Sequence, residues 1–273
     1  GASQLRSGLG TNVIVENRAG GSGLIGASAV AKGPRDGSML LFTSVSMITA
    51  VATLRTVSFD PISELAPVAL VGEGPLVVAV STKTDIKTPA DLVAAARAKP
   101  DVLTHGTAGV GTLSHLSAEF FNDAAKVQIK HIPYKGAALA VIDLAAGTID
   151  AMFAVNTTLA PQIKAGRVRL IGVTSEQPSP AYPDLPTMSS VAPGYTTTVW
   201  TAIFAPTGIP TALVQRLNRE IREIVKSDKA MQDIMQFDGV APGALSPEEM
   251  ARLVRESHAT WKKIAVAKNI VLE

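Results

Sequence analysis

THGTAGVGTLSHLSAEFF, residues 104–121, joins a strand to a helix through three glycines. Val102 to Thr104 reads as the end of a buried strand. Gly106, Gly109 and Gly111 form a turn whose backbone lies open. Thr112 then starts a helix whose apolar side is Leu113, Leu116 and Phe120, at spacings of three and four. A glycine turn entering a helix presents several unpaired backbone N–H groups, with the positive end of the helix dipole behind them. That makes an anion site without a cationic side chain. Thr112, Ser114 and His115 lie in the first turn, where their side chains can add donors. The expected role is a carboxylate clamp, and the plainer alternative is tight packing of strand on helix.

Two phosphate motifs compete for these glycines. Gly106 and Gly111 have the spacing of a P-loop, which needs lysine and then serine or threonine after the second glycine. Thr112 and Leu113 stand there instead. GSGLIG at 21–26 fits the dinucleotide pattern, but its loop is long. The next strand, at 39–42, ends in Thr43, Ser44, Val45 and Ser46 and not in the acid that holds a ribose. The better reading of 21–26 is a glycine-softened helix start that lets strand and helix pack closely. The hydroxyls of Thr43, Ser44, Ser46 and Thr49 follow a strand's carboxyl end, where open α/β sheets place ligands.

Composition narrows the function further. A chain of 273 residues with 47% hydrophobic and 18% charged content builds one large or two ordinary globular units. A net charge of +2 is too balanced for a nucleic-acid or anionic-membrane surface. Aromatics at 4% argue against stacking platforms. The absence of cysteine excludes disulfides and thiolate metal sites. The four histidines, His105, His115, His131 and His258, lack metal-ligand spacing. No nucleophile motif is present, so neither an enzyme nor a cofactor is expected. No run reaches the ~18 apolar residues of a membrane span.

The rest of the chain alternates strands and helices. Strands are expected at 13–16, 39–42, 66–71, 76–80, 128–132, 149–153, 168–173 and 197–205. Helices are expected at 24–32, from Thr88 to Lys99, at 137–146, and around Pro161 and Ile163. Two long helices close the chain. One, at 210–226, buries Leu213, Leu217, Ile221 and Ile224, and the other begins at the capping box of Ser246, Pro247 and Glu249. Alternation predicts parallel sheets with helices on both faces. The strand count predicts two α/β lobes around one cleft: residues 1–102 with 205–273, and 103–204, with chain crossings at 101–103 and 204–206.

VIVENRAGGSGLIG (13–26), RDGSMLLFTS (35–44), GTAGVGTLSH (106–115), HIPYKG (131–136), IDAMF (149–153), IKAGRVRLIGVTS (163–175) and IFAPTGIP (203–210) together resemble the periplasmic receptors of tripartite tricarboxylate transporters, the Bug-type proteins. The resemblance runs from about Leu5 to Ile270. It implies a two-lobed periplasmic-binding-protein fold of the Venus-flytrap type, with the ligand in the cleft. It also implies a periplasmic monomer that delivers a small carboxylate to membrane permease subunits. Carried over residue by residue, it places the carboxylate on Gly109, Gly111, Thr112 and His115, with Thr43, Ser44 and Ser46 from the other lobe. Family chains begin with a strand and a proline-glycine-glycine loop. This sequence opens at GASQLRSGLG, which reads as the tail of a helix. In the family, Asp-Asn commonly follows the IDAMF-like strand. Here Ala154 and Val155 follow, with Asn156 one step later as a neutral acceptor. Without an acid to face an ammonium, a dicarboxylate is expected over an amino acid. The rival readings are an amino-acid receptor of the same fold and the sensor domain of a regulator, which needs a DNA-binding helix-turn-helix.

Overall fold

The computed structural model describes residues 12–18, 23–55 and 59–270. Leu24–Ala31 forms α1, Leu41–Ser44 β1 and Ser46–Thr53 α2. Asp60 caps a single turn, α3 (Pro61–Glu64), which runs into the long strand β2 (Leu65–Pro75). β3 (Val77–Ser81) and α4 (Pro89–Ala98) follow. The glycine stretch supplies β4 (Thr104–Thr107) and α5 (Leu113–Ala125). Next come β5 (Lys130–Pro133), α6 (Ala137–Ala146), β6 (Ala151–Ala154), α7 (Asn156–Lys164) and β7 (Val168–Val173). After a long connection, β8 (Thr198–Pro206), α8 (Thr211–Ser227), α9 (Lys229–Phe237), β9 (Ala241–Pro242) and α10 (Pro247–Ala267) complete the fold. Among the described residues no helix is long and apolar enough to cross a membrane.

The strands form two sheets, ordered β1-β8-β2-β9 and β5-β4-β6-β3-β7. The expected parallel sheets are corrected. The first sheet is antiparallel throughout. In the second, β4 is parallel to β5 and β6, but β3 is antiparallel to β6 and β7. Only Leu76 separates β2 from β3, which lie in different sheets. The chain therefore passes straight from one sheet to the other at Leu76 and returns between Val173 and Thr198.

Thr174, fully buried, stitches the two passages together. Its hydroxyl accepts the Leu76 N–H at 2.8 Å and donates to the Thr197 carbonyl at 2.7 Å. Its backbone bonds both Leu76 and Thr197. The expected crossings are corrected accordingly. Residues 204–206 lie within β8, and 101–103 lead from α4 to β4, with the Asp101 N–H on the Gln128 carbonyl. β3, assigned with 1–102 to the first lobe, pairs in the second sheet, and β8 pairs in the first.

Helix starts follow the local chemistry. Thr88 and Asp91 form a capping box with Pro89 at the first position of α4, and Ser246, Glu249 and Pro247 do the same for α10. Other expectations shift. Residues 13–16 pair with no strand among the described residues, and Ile14 stands 89% exposed. GASQLRSGLG (1–10) and residues 19–22 of the first glycine loop lie outside the described residues. β2 continues through Gly72, Gly74 and Pro75, which were expected to separate two strands. Glycine is needed there because a Cβ at Gly72 would strike Met235 and one at Gly74 would meet the Gly239 carbonyl at 2.7 Å. A third helix, α9, stands between the two expected at the end. α8 buries Val214, Leu217, Ile221 and Val225 and leaves Leu213 and Ile224 half-buried. Phe121, packed between Phe153 and Tyr195, is the buried aromatic of α5, while Phe120 is half-buried.

Candidate functional site

Three helices begin at one cavity of about 450 Å³. Gly23 is the cap residue of α1, Ser46 is the first residue of α2, and Thr112 is the cap residue of α5. The rest of the lining is Phe42, Thr43 and Ser44 from β1, Thr49 from α2, and Thr201 from β8. α1 and α5 start without a side-chain cap bond, the Ser44 hydroxyl accepts the Ser46 N–H at the start of α2 at 3.3 Å, and none of the three has an acid in its first turn. Among the described residues, no charged side chain lines the cavity. Each start contributes the equivalent of roughly half a positive charge and its unpaired N–H groups. A cavity lined by helix starts and hydroxyls, without an acid, can receive an anion.

The sheets bring these residues together by register. β1 ends at Ser44, directly opposite Thr201 on β8. Gly23 adopts φ 94°, open to glycine, and a Cβ there would meet the Thr43 hydroxyl at 3.4 Å. At the other wall Leu116 is the first residue of α5 to bond back, to the Thr112 carbonyl at 3.0 Å. The N–H groups of residues 113–115 precede that first helical bond.

The structure gathers Thr43, Ser44, Ser46 and Thr112 around the cavity. Gly109, Gly111, Ser114 and His115, expected to touch the ligand, are not among its lining and hold the loop together instead. The Gly109 N–H reaches the Thr107 hydroxyl at 3.3 Å, and the Gly111 N–H reaches His115 Nδ1 at 3.1 Å. Ser114 accepts the Ala108 N–H at 3.2 Å and sits 3.0 Å from the Thr112 hydroxyl, which donates to the Gly109 carbonyl at 2.7 Å. Gly109 at φ 136° and Gly111 at φ 75° permit this fold-back.

Asn156 lies elsewhere. It opens α7, and its amide donates to the Phe237 carbonyl at 3.0 Å. The Thr157 N–H and hydroxyl bond Asp238 at 2.7 and 3.1 Å. The anion seat at the start of α7 is thus filled by Asp238, and Asn156 is not among the residues that line the cavity. Thr201, Phe42 and Gly23 were missed. Their membership depends on pairing and approach between distant segments, and only the hydroxyl run at 43–49 gave a local signal.

His115 is buried and stacks on His131 with ring centroids 3.7 Å apart. Burial depresses both imidazoles, His115 to about 4 and His131 to about 3, with neighbouring rings adding to the effect. Burial works against the Glu119 carboxylate, but His105, His115 and Lys268 together hold it below the usual range.

The profile of the family described as "Tripartite tricarboxylate transporter family receptor" matches residues 1–270. BugT of Bordetella pertussis is 31% identical over 263 residues, covering 95% of this chain and 80% of that one. Among solved structures, Rpa4515 of R. palustris with adipate superposes with a TM-score of 0.84 at 32% identity, over 99% of this chain and 91% of that one. MatC of Rhodopseudomonas palustris with bound malate gives 0.79 at 25% identity, over 96% and 91%.

Proposed function

Because the chain belongs to the tripartite tricarboxylate transporter receptor family, we propose that it is a periplasmic receptor that binds a small dicarboxylate and hands it to membrane permease subunits without turning it over. The observation that carries this reading is the meeting of three helix starts, none with an acid in its first turn, on one cavity free of charged side chains. Gly23 and Ser46 offer positive ends from the side of the first sheet, and Thr112 offers one from the second. A molecule with a carboxylate at each end matches two such seats. An amino acid matches less well, because a buried ammonium needs an acid or several acceptors. Residues 153–156, FAVN, bring no acid, and Asn156 is engaged elsewhere. Adipate and malate, found on the two similar receptors, are both dicarboxylates without an amino group.

A thermal-shift panel of mono-, di- and tricarboxylates beside nucleotides and sugars tests the ligand class. A dicarboxylate at a hundred times its Kd should add about 2.7 kcal/mol of stability. Stabilisation by nucleotides or sugars alone would overturn the reading.

A further inference from the structure

Behind the helix start of α5 three imidazoles stack: His115 on His131 at 3.7 Å and 15°, and His131 on His105 at 5.2 Å. Among the described residues they form no group that could hold a metal. Two of them end on the loop that leads to the cavity. His115 Nδ1 accepts the Gly111 N–H. His131 Nε2 lies 2.7 Å from the Thr107 hydroxyl, the same hydroxyl that accepts the Gly109 N–H. A neutral imidazole offers one acceptor nitrogen and an imidazolium offers none. The Gly111 bond therefore holds His115 in the neutral form, and two charged rings face to face would repel. The titratable groups around it are His105 on β4 and Glu119 on α5, with Glu119 Oε1 3.6 Å from His105 Nε2. Lys268, beyond α10, acts on Glu119 and pairs with Asp123 at 3.8 Å.

We infer that His115 and His131 are positioning residues for ligand binding: the neutral ring of His115 fixes Gly111, and His131, through Thr107, fixes Gly109, so that the N–H groups opening α5 face the cavity. The inference rests on the carboxylate-receptor reading and adds a pH dependence to it. Charging His115 withdraws the acceptor from Gly111, and the clamp loses its shape as pH falls toward about 4.

Calorimetry with adipate tests this from neutral pH down to about 4. The quantity read is the ratio of variant to wild-type Kd, in which adipate's own protonation cancels. His115→Leu should weaken binding about tenfold at neutral pH, the value of one lost hydrogen bond. His115→Asn places an amide oxygen near the Nδ1 position and cannot charge. It should restore most of that loss, and its Kd should improve relative to wild type as the pH falls. A Leu variant that binds like wild type, an Asn variant with the wild-type acid limb, or wild-type binding that tightens when His115 charges would each overturn the inference. The Gly111 amide shift in ligand-free wild-type protein gives a separate reading, since it should titrate together with the His115 ring. An amide that stays still while the ring charges overturns the positioning role. Absence of heat with adipate at every pH would count against the receptor reading, and the amide titration would still decide this one.

Discussion

Ser46 shows how a single hydroxyl can meet an anion. Its Oγ accepts from Ser44 at 3.0 Å, which leaves its own proton free to point into the cavity. Ser46→Ala should weaken dicarboxylate binding by roughly 1–3 kcal/mol, the range for hydrogen bonds to charged groups, with little change in melting temperature. Unchanged affinity by calorimetry would remove Ser46 from the site. His115 makes a prediction about stability. Its ring titrates near 6.5 in the unfolded chain and at about 4 in the fold. Between those values the unfolded chain carries the extra proton, so stability falls as pH drops from 6.5 to about 4 and levels off below. Melting curves of His115→Asn should be flatter across that window, and equal slopes would contradict the assignment. At this scale the sequence was legible where a residue follows a strand or opens a helix, as Thr43, Ser44, Ser46 and Thr112 do. It was not legible for Thr201, whose place opposite Ser44 is a matter of register between distant strands. The inward role of His115 depends on the fold-back at Gly109 and Gly111, which glycine spacing alone does not specify.

Among the elements, the paired passages between the sheets depend most on one side chain. Thr174→Val keeps the shape but leaves the buried Leu76 N–H without its acceptor, at a cost of about 1–3 kcal/mol. Urea denaturation should show that loss, and a difference near zero would mean that the passages are held by packing alone. Nearby, the buried Ser117 hydroxyl on α5 lies 2.8 Å from the Tyr195 hydroxyl and 2.7 Å from that of Thr197. The helix that opens at the cavity is thereby tied to the returning passage. Helices with caps written into the chain, α4 and α10, were readable because capping is local chemistry. β2 was not, because Gly72 and Gly74 read as a break. They are small because α9 and the segment before β9 press on them. The mixed second sheet was equally hidden, since the direct step from β2 to β3 looks in sequence like any short turn.

Across the whole molecule, two sheets are joined by two passages, with a neutral, donor-lined cavity between residues of both. The family was legible because ordered motifs recur along the entire chain. The lining was only partly legible because it is assembled from β1, β8 and three helix starts. The proposed anion selectivity rests on that assembly, with no cationic side chain at the lining among the described residues. The most direct test is calorimetric titration of adipate beside 2-aminoadipate, which differs by one amino group. One adipate should bind per chain, and 2-aminoadipate should bind at least about tenfold more weakly, because its ammonium finds no acid in the cavity. No binding of adipate, or equal or tighter binding of 2-aminoadipate, would contradict the account.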